Sequence, residues 1–177
     1  MKPEITIRTV EDRKMLKAFI RFPLDLYKDC ENYVPAFESD EFNSLGPENP
    51  SLEFCEKELF LAYQGKKIVG RVAAIINHRA NKKFGENTVR FGWIDFIEDF
   101  DVAKTLIDTV IVWGAKRGAN LIKGPLGFTD MDREGLLVDG FEKESPFRLT
   151  CKLPWGGYPK SLHSLNMKNG RSDTPLS

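Results

Sequence analysis

The residues best suited to chemistry fall into three groups. Asp95 lies in the aromatic run Gly92-Trp93-Ile94-Asp95-Phe96-Ile97. A carboxylate desolvated between Trp and Phe has its pKa raised toward the range of a general base. His78 ends an apolar run and precedes Arg79. An imidazole there can exchange a proton near neutral pH or, with Arg79, hold an anion. The third group is Gly124-Pro125-Leu126-Gly127-Phe128-Thr129-Asp130-Met131-Asp132-Arg133-Glu134-Gly135. Gly124 and Gly127 permit close approach of backbone to a ligand, and three acids follow them. Each group also has a plainer structural reading: a partnered strand aspartate, a surface histidine in a basic connector, and a glycine turn opening a capped helix.

Other chemistries are excluded on spacing. The acids after Gly127 lack the ligand pattern of a calcium loop, and no Gly-Lys-Ser/Thr follows to make a phosphate loop. With two histidines (His78 and His163) and three cysteines at no short spacing (Cys30, Cys55 and Cys151), no metal site is expected. The cysteines are expected to be reduced thiols. The junction Glu98-Asp99-Phe100-Asp101 has three acids and no glycine, so a phosphate there would meet like charge.

The elements that must position these residues follow from periodicity. Ile5 and Ile7 alternate with polar residues as in a strand. Thr9 and Asp12 have capping-box spacing, and Met15, Leu16, Phe19 and Ile20 share a helical face; Pro23 should stop that helix or start a second short one. Residues 28 to 57 read as irregular, with one helical turn near Ser39–Leu45. Leu59–Tyr63 and Ile68–Asn77 flank Gln64-Gly65-Lys66-Lys67, the signature of a β-hairpin. Residues 78 to 87 read as a connector or short helix. Val89–Ile97 reads as a strand with Phe91, Trp93, Asp95 and Ile97 on one face. The stripe Val102, Ala103, Leu106, Ile107, Val110, Ile111, Gly114 predicts a helix over 102–117, followed by a strand at Asn120–Lys123. Strand, helix and strand make a right-handed parallel crossover. The expected fold is therefore α/β (α+β): a mixed sheet with a hairpin, then a parallel βαβ unit, with flanking helices. Thr129 and Asp132 could cap a further helix through about Leu137.

Composition bounds the rest. The chain has 177 residues, 41% of them hydrophobic, which suits one packed domain. Lys plus Arg and Asp plus Glu are both 26, so the net charge is zero. A nucleic-acid binder would carry a basic excess, so no nucleic acid is expected as partner. The longest nearly uninterrupted apolar run, Val72–Ile76, cannot span a membrane. The first residues contain no apolar signal region, so a soluble, cytoplasmic protein is expected. The domain should occupy residues 1–144. Residues 145–177, broken by Pro146, Pro154, Gly156, Gly157 and Pro159, read as an irregular, disordered or aberrant tail.

Several runs resemble a bacterial family of GNAT-like (acyl-CoA N-acyltransferase-like) proteins. They are Phe22-Pro23-Leu24-Asp25-Leu26-Tyr27-Lys28-Asp29, Val34-Pro35, Val69 through His78, Arg90-Phe91-Gly92-Trp93-Ile94-Asp95-Phe96 and Gly124 through Asp132. Together they cover about residues 4 to 144. Members of the family are longer, so the resemblance reads this chain as a truncated, N-terminal half. It implies the GNAT fold and acyl transfer from acetyl-CoA or another acyl-CoA to a small-molecule amine. Asp95 or His78 would take the proton. Phe96 and Ile97, with Gly124, would meet the donor's pantetheine arm. Residues 97–103 depart from the family's Gln/Arg-x-x-Gly-x-Gly/Ala phosphate loop. The alternative is a non-catalytic GNAT-like domain that binds a ligand or partner, such as a second GNAT-like domain.

Overall fold

The structure is a computed structural model that describes residues 4–31, 33–129 and 131–132, with three two-residue strands at 167–168, 171–172 and 174–175. Five strands lie side by side in chain order in a six-stranded sheet: β1 (Ile5–Thr9), β2 (Cys55–Gln64), β3 (Lys67–Asn77), β4 (Thr88–Phe96) and β5 (Leu121–Lys123). Neighbours β1 to β4 pair antiparallel. β4 and β5 pair parallel, with Thr88 opposite Leu121 and Arg90 opposite Lys123. Thr174–Pro175 lies antiparallel to β5, and Met167–Lys168 pairs with Arg171–Ser172. The rest of the expected tail, and residues 133–137 of the expected helix, lie outside the described residues.

Helices cover both faces, so the central strands β2 to β4 bury side chains on both faces, while the edge strand β1 leaves alternate residues exposed. On one face α4 (Phe100–Ala115) packs Val102, Leu106, Val110 and Trp113 against Val72, Ala74, Phe91, Ile94 and Phe96. On the other, α1 (Arg13–Leu26) and α2 (Glu38–Leu45) pack Phe19, Ile20 and Leu45 against Leu59, Leu61, Ala73, Ile75 and Phe128. The mixed sheet, hairpin and parallel crossover thus agree with the sequence reading. No helix among the described residues is long and apolar enough to cross a membrane.

Four local expectations are corrected. Asp12, not Thr9, caps α1, its carboxylate accepting from the Met15 amide at 2.6 Å, while Thr9 stays in β1. Pro23 does not end α1, which runs on to Leu26. In residues 28–57 the helical turn expected near Ser39–Leu45 is present but longer, the eight-residue α2, and the segment also holds a 3₁₀ turn at Pro50–Glu53 and the start of β2, which the clustered prolines hid. Finally, Phe91 does not share a face with Trp93 and Asp95. β4 carries one extra residue between Gly92, opposite Ala73, and Asp95, opposite Arg71. Such a bulge flips the alternation beyond it. Phe91, Ile94 and Phe96 therefore all face α4, and Trp93 packs on the α1 side.

The cysteines also differ from expectation. Cys30 is disulfide-bonded, and Cys55 is free and buried. Spacing along the chain says nothing of distance in the fold, so three cysteines concealed a bonded one. Burial pushes the Cys55 thiol up to about 11, which keeps it protonated at ordinary pH. Iodoacetamide at about pH 8 is expected to leave Cys55 unmodified in the folded chain and to alkylate it after denaturation. Peptide mass mapping checks this, and alkylation of the native chain would contradict it.

Candidate active site

The site forms where β4 breaks its pairing. Trp93 takes φ +46° at the bulge, a region costly for a bulky side chain. Its ring is fixed from two sides: Nε1 donates to Glu41 of α2 at 2.8 Å, and Phe128 lies 5.6 Å away, tilted by 58°. The segment after β5 runs alongside. The Leu126 amide donates to the Phe91 carbonyl at 2.8 Å. Asn77 Nδ2 holds the Phe128 carbonyl at 2.8 Å, and Arg90 Nη1 reaches the carbonyls of Gly127 and Phe128 at 3.2 and 3.3 Å.

Beyond the bulge, Asp95 turns toward α1 and meets Arg71 of β3. Arg71 Nε donates to Asp95 Oδ2 at 2.8 Å, and the Tyr27 hydroxyl donates to Oδ1 at 2.8 Å. Asp95 is 2% exposed and Arg71 5%. Arg71 Nη1 donates to the Phe19 carbonyl at 2.8 Å, and its guanidinium lies 5.0 Å from the Phe19 ring centre. That carbonyl is the one the residue four later would bond in a regular helix, and that residue is Pro23, which has no N–H. The proline frees the acceptor that Arg71 uses. Tyr27 in turn stacks on Tyr33, ring centres 4.9 Å apart.

Above this pair lies a cleft of about 350 Å³ bounded by α1, the α1–α2 connection, Arg71 and Trp93. Its acids are Glu38, Asp40, Glu41 and Asp132. The first three occupy the first turn of α2, where the helix dipole favours them. Asp132 accepts from the Thr129 amide at 2.8 Å. Its mouth is apolar: Val34, Phe37 and Met131 are exposed at 36%, 78% and 91%.

The expected site residues do not converge. Asp95 does not line this cleft; it is buried behind Arg71, with each carboxylate oxygen hydrogen-bonded. His78 starts α3 (His78–Phe84), seven residues along β3 from Arg71, roughly 23 Å at strand rise. It is exposed and bonds Glu56 at 2.7 Å. Phe96 is buried against α4, opposite Gly70. Ile97 donates its amide to the Val69 carbonyl at 2.9 Å and accepts from the Asp99 amide at 2.6 Å, so its backbone is already engaged within the fold. Gly124 serves packing: a Cβ there would lie 2.4 Å from the Phe91 carbonyl oxygen. Among the described residues no cluster could hold a metal ion. Sequence reasoning missed Arg71, Tyr27 and Glu41. A signal existed for Arg71: a lone cation inside the apolar run Ile68–Ile76 demands a buried partner.

Comparison with known proteins places this geometry in a class. No family model matches the chain. Over 68% of its length it superposes on a tandem GNAT protein of the clavulanic acid pathway (TM-score 0.55, 12% identity, 36% of that chain). It superposes equally far on an N-acyl amino acid synthase from uncultured soil microbes (TM-score 0.50, 14% identity, 70% of that chain). The chain has a bacterial GNAT-like fold. In sequence it is 30% identical over 97% of its length to protein YghO of Escherichia coli and 29% identical over 78% to the bacterial ceramide synthase of Caulobacter vibrioides. It spans 46% and 37% of those relatives, less than half of either.

Two outcomes follow. Arg71→Met strands Asp95 in the core and should cost about 3–5 kcal/mol, whereas Arg71→Met with Asp95→Leu should recover most of that; urea unfolding of the single and double variants reads it. At the other end of the sheet, the hydrogen bond from His78, then that from Arg117, holds the Glu56 carboxyl below its ordinary value of 4.5. A depressed carboxyl contributes stability that is present above its unfolded pKa and lost as pH falls through the folded one. Glu56→Gln should therefore flatten the fall in Tm between about pH 5 and about pH 3; an unchanged acid limb would contradict it.

Proposed function

We propose that the chain transfers an acyl group from an acyl-CoA thioester to the primary amine of an amphiphile. The observation that carries this reading is the cleft at the β4 bulge, acidic along α2 and apolar at its mouth. Acids draw in an ammonium group, and the exposed Val34, Phe37 and Met131 offer an apolar tail a surface away from water. A small polar amine would have no use for that rim. The relative named a ceramide synthase and the structural neighbour named an N-acyl amino acid synthase both make N-acyl amides, which supports the same bond.

The reaction needs few groups from the protein. The amine nitrogen forms a bond to the thioester carbonyl carbon, the C–S bond breaks, and a proton passes from nitrogen to leave an amide and a thiol. Glu41, held against Trp93 at the bulge, is our assignment for the carboxylate that orients the ammonium and takes its proton to solvent. Asp95 is a positioning residue: it fixes Arg71 and Tyr27, and through them α1 over the cleft. His78 has no part in this reading. The further length of the relatives is our proposed source of a second GNAT-like domain.

Acyl transfer is measured as thiol release from acetyl- and longer acyl-CoAs, with amines of graded alkyl length. kcat/KM should rise with the tail of the amine. Glu41→Gln should lower it roughly 10- to 100-fold, the worth of one charge-assisted hydrogen bond of about 1.5–3 kcal/mol. Equal rates for short and long amines would refute the amphiphile assignment. No transfer to any amine would leave a domain that binds without catalysis.

A further inference from the structure

β2 is ten residues long, and its outer neighbour β1 is five. β1 pairs with it from Phe60 to Gln64, and the Val10 amide adds one bond to the Leu59 carbonyl at 2.8 Å before the chain turns into α1. On its inner side β2 pairs with β3 along its whole length, from Cys55 opposite Asn77 to Gln64 opposite Lys67. In an antiparallel ladder the backbone groups of successive residues point to alternate sides. Leu59 turns its carbonyl outward, so Lys57 and Cys55 turn theirs outward too. Among the described residues nothing pairs with this outer edge below Leu59. The N–H and C=O of Lys57 are thus an open rung, and an open rung is a template for another strand.

A cleft of about 880 Å³ runs beside that edge, lined by Glu56, Lys57 and Glu58 of β2 itself. On the α1 side its wall is apolar, built from the partly buried Leu16, Phe42 and Leu52. Its cations are already engaged. Lys57 Nζ donates to the Leu45 and Gly46 carbonyls at the end of α2, and Arg117 Nε donates to Glu56 at 3.1 Å. Arg13 lies 5.8 Å from the Phe42 ring centre. Its acids are not: Glu11, Glu48 and Glu58 line the same cleft and have no ion-pair partner among the described residues. Trp113 lines it too, and its buried indole N–H has no acceptor among the described residues. An open strand edge, an apolar wall and an uncompensated negative charge therefore meet in one place.

We propose that this edge docks an extended segment of a partner protein in which apolar and basic residues alternate. The segment continues the line of β1, antiparallel to β2, and bonds Lys57 through its backbone. Residues facing each other across an antiparallel pair put their side chains on one face. The residue opposite Lys57 therefore lies on the α1 side, against Leu16, Phe42 and Leu52, and is the apolar one. Its neighbours point to the other face, that of Glu56 and Glu58, and are the basic ones. The unpaired acids set the sign of the partner's charge. Different residues of α2 line this cleft and the one at the bulge, Phe42 and Leu45 here, Glu41 and Ser44 there. The inference does not depend on acyl transfer.

The test is fluorescence anisotropy of a fluorescein-labelled peptide, Lys-Val-Lys-Ile-Lys-Val, titrated with the full 177-residue chain. Two further peptides carry N-methyl groups, one on the lysines and one on the apolar residues, so that each lacks the backbone donors of one edge. A fourth has Glu in place of every Lys. The basic peptide is expected to bind. N-methylation of the apolar residues, whose N–H groups face β2, should weaken it at least about tenfold, and N-methylation of the lysines should not. The acidic peptide should bind at least about tenfold more weakly than the basic one. Glu48→Lys/Glu58→Lys should weaken the basic peptide by a similar factor and flatten its salt dependence, with a matching melting curve to confirm folding. Equal loss from both N-methylated peptides would overturn strand addition. Equal binding of the acidic peptide, or no binding of the basic one at about 1 mM chain, would overturn the inference outright. A dimer in sedimentation that Glu48→Lys/Glu58→Lys dissociates and the basic peptide does not would give the edge to a second copy of the chain, and would overturn it likewise.

Discussion

The buried pair of Arg71 and Asp95 is the constraint around which the α1 face is arranged. Two charges removed from water are stable only if their remaining donors and acceptors are filled. Here the filling comes from α1: the Phe19 carbonyl takes one guanidinium N–H, and the Tyr27 hydroxyl takes the second carboxylate oxygen. Both depend on local irregularities. Pro23 leaves the Phe19 carbonyl without its helical partner. The bulge at Trp93 turns Asp95 toward Arg71; with regular alternation it would share the face of Phe91 and point into the apolar layer beneath α4. A helix defect and a strand defect thus serve one interaction, which ties α1, β3 and β4 together behind the cleft.

What the sequence made legible was whatever a period could carry. The hairpin, the β4–α4–β5 crossover and the apolar stripe of α4 are long runs of one repeat, and their ends lie within a few residues of expectation. The proline-broken segment 28–57 has no such run, and α2 within it is short and acidic. The bulge was hidden for a different reason. A single inserted residue leaves composition untouched while reversing every later side chain, so the aromatic run looked regular and Asp95 looked like an isolated, desolvated acid. Its partner lies 24 residues away on the neighbouring strand, at a distance that no local pattern encodes. The same holds for Trp93 and Glu41, 52 residues apart, which meet only because α2 folds back over the sheet.

The charge distribution is as uneven as the net charge is balanced. Acids line the cleft at the bulge, from α2 and from Asp132. Cations line a cleft on the other side of α1, beside Ile97. α1 separates the two and is itself fixed by Arg71 and Asp95. A net charge of zero cannot show that the two signs are segregated across one helix.

The start of α4 shows why fold and ligand site must be argued separately. Free amides at a helix N-terminus can be satisfied by a side-chain cap or by a bound anion, and the two uses compete for the same N–H groups. In this chain Asp99 has taken the cap and Asp101 adds charge to the first turn. The helix gains stability from both, and both place negative charge where the free amides of a helix start would otherwise face an anion. Cations lie instead on α1 and the β2–β3 turn, where the hairpin brings residues 66 and 67 back beside the end of β4 and Ile97 bonds Val69.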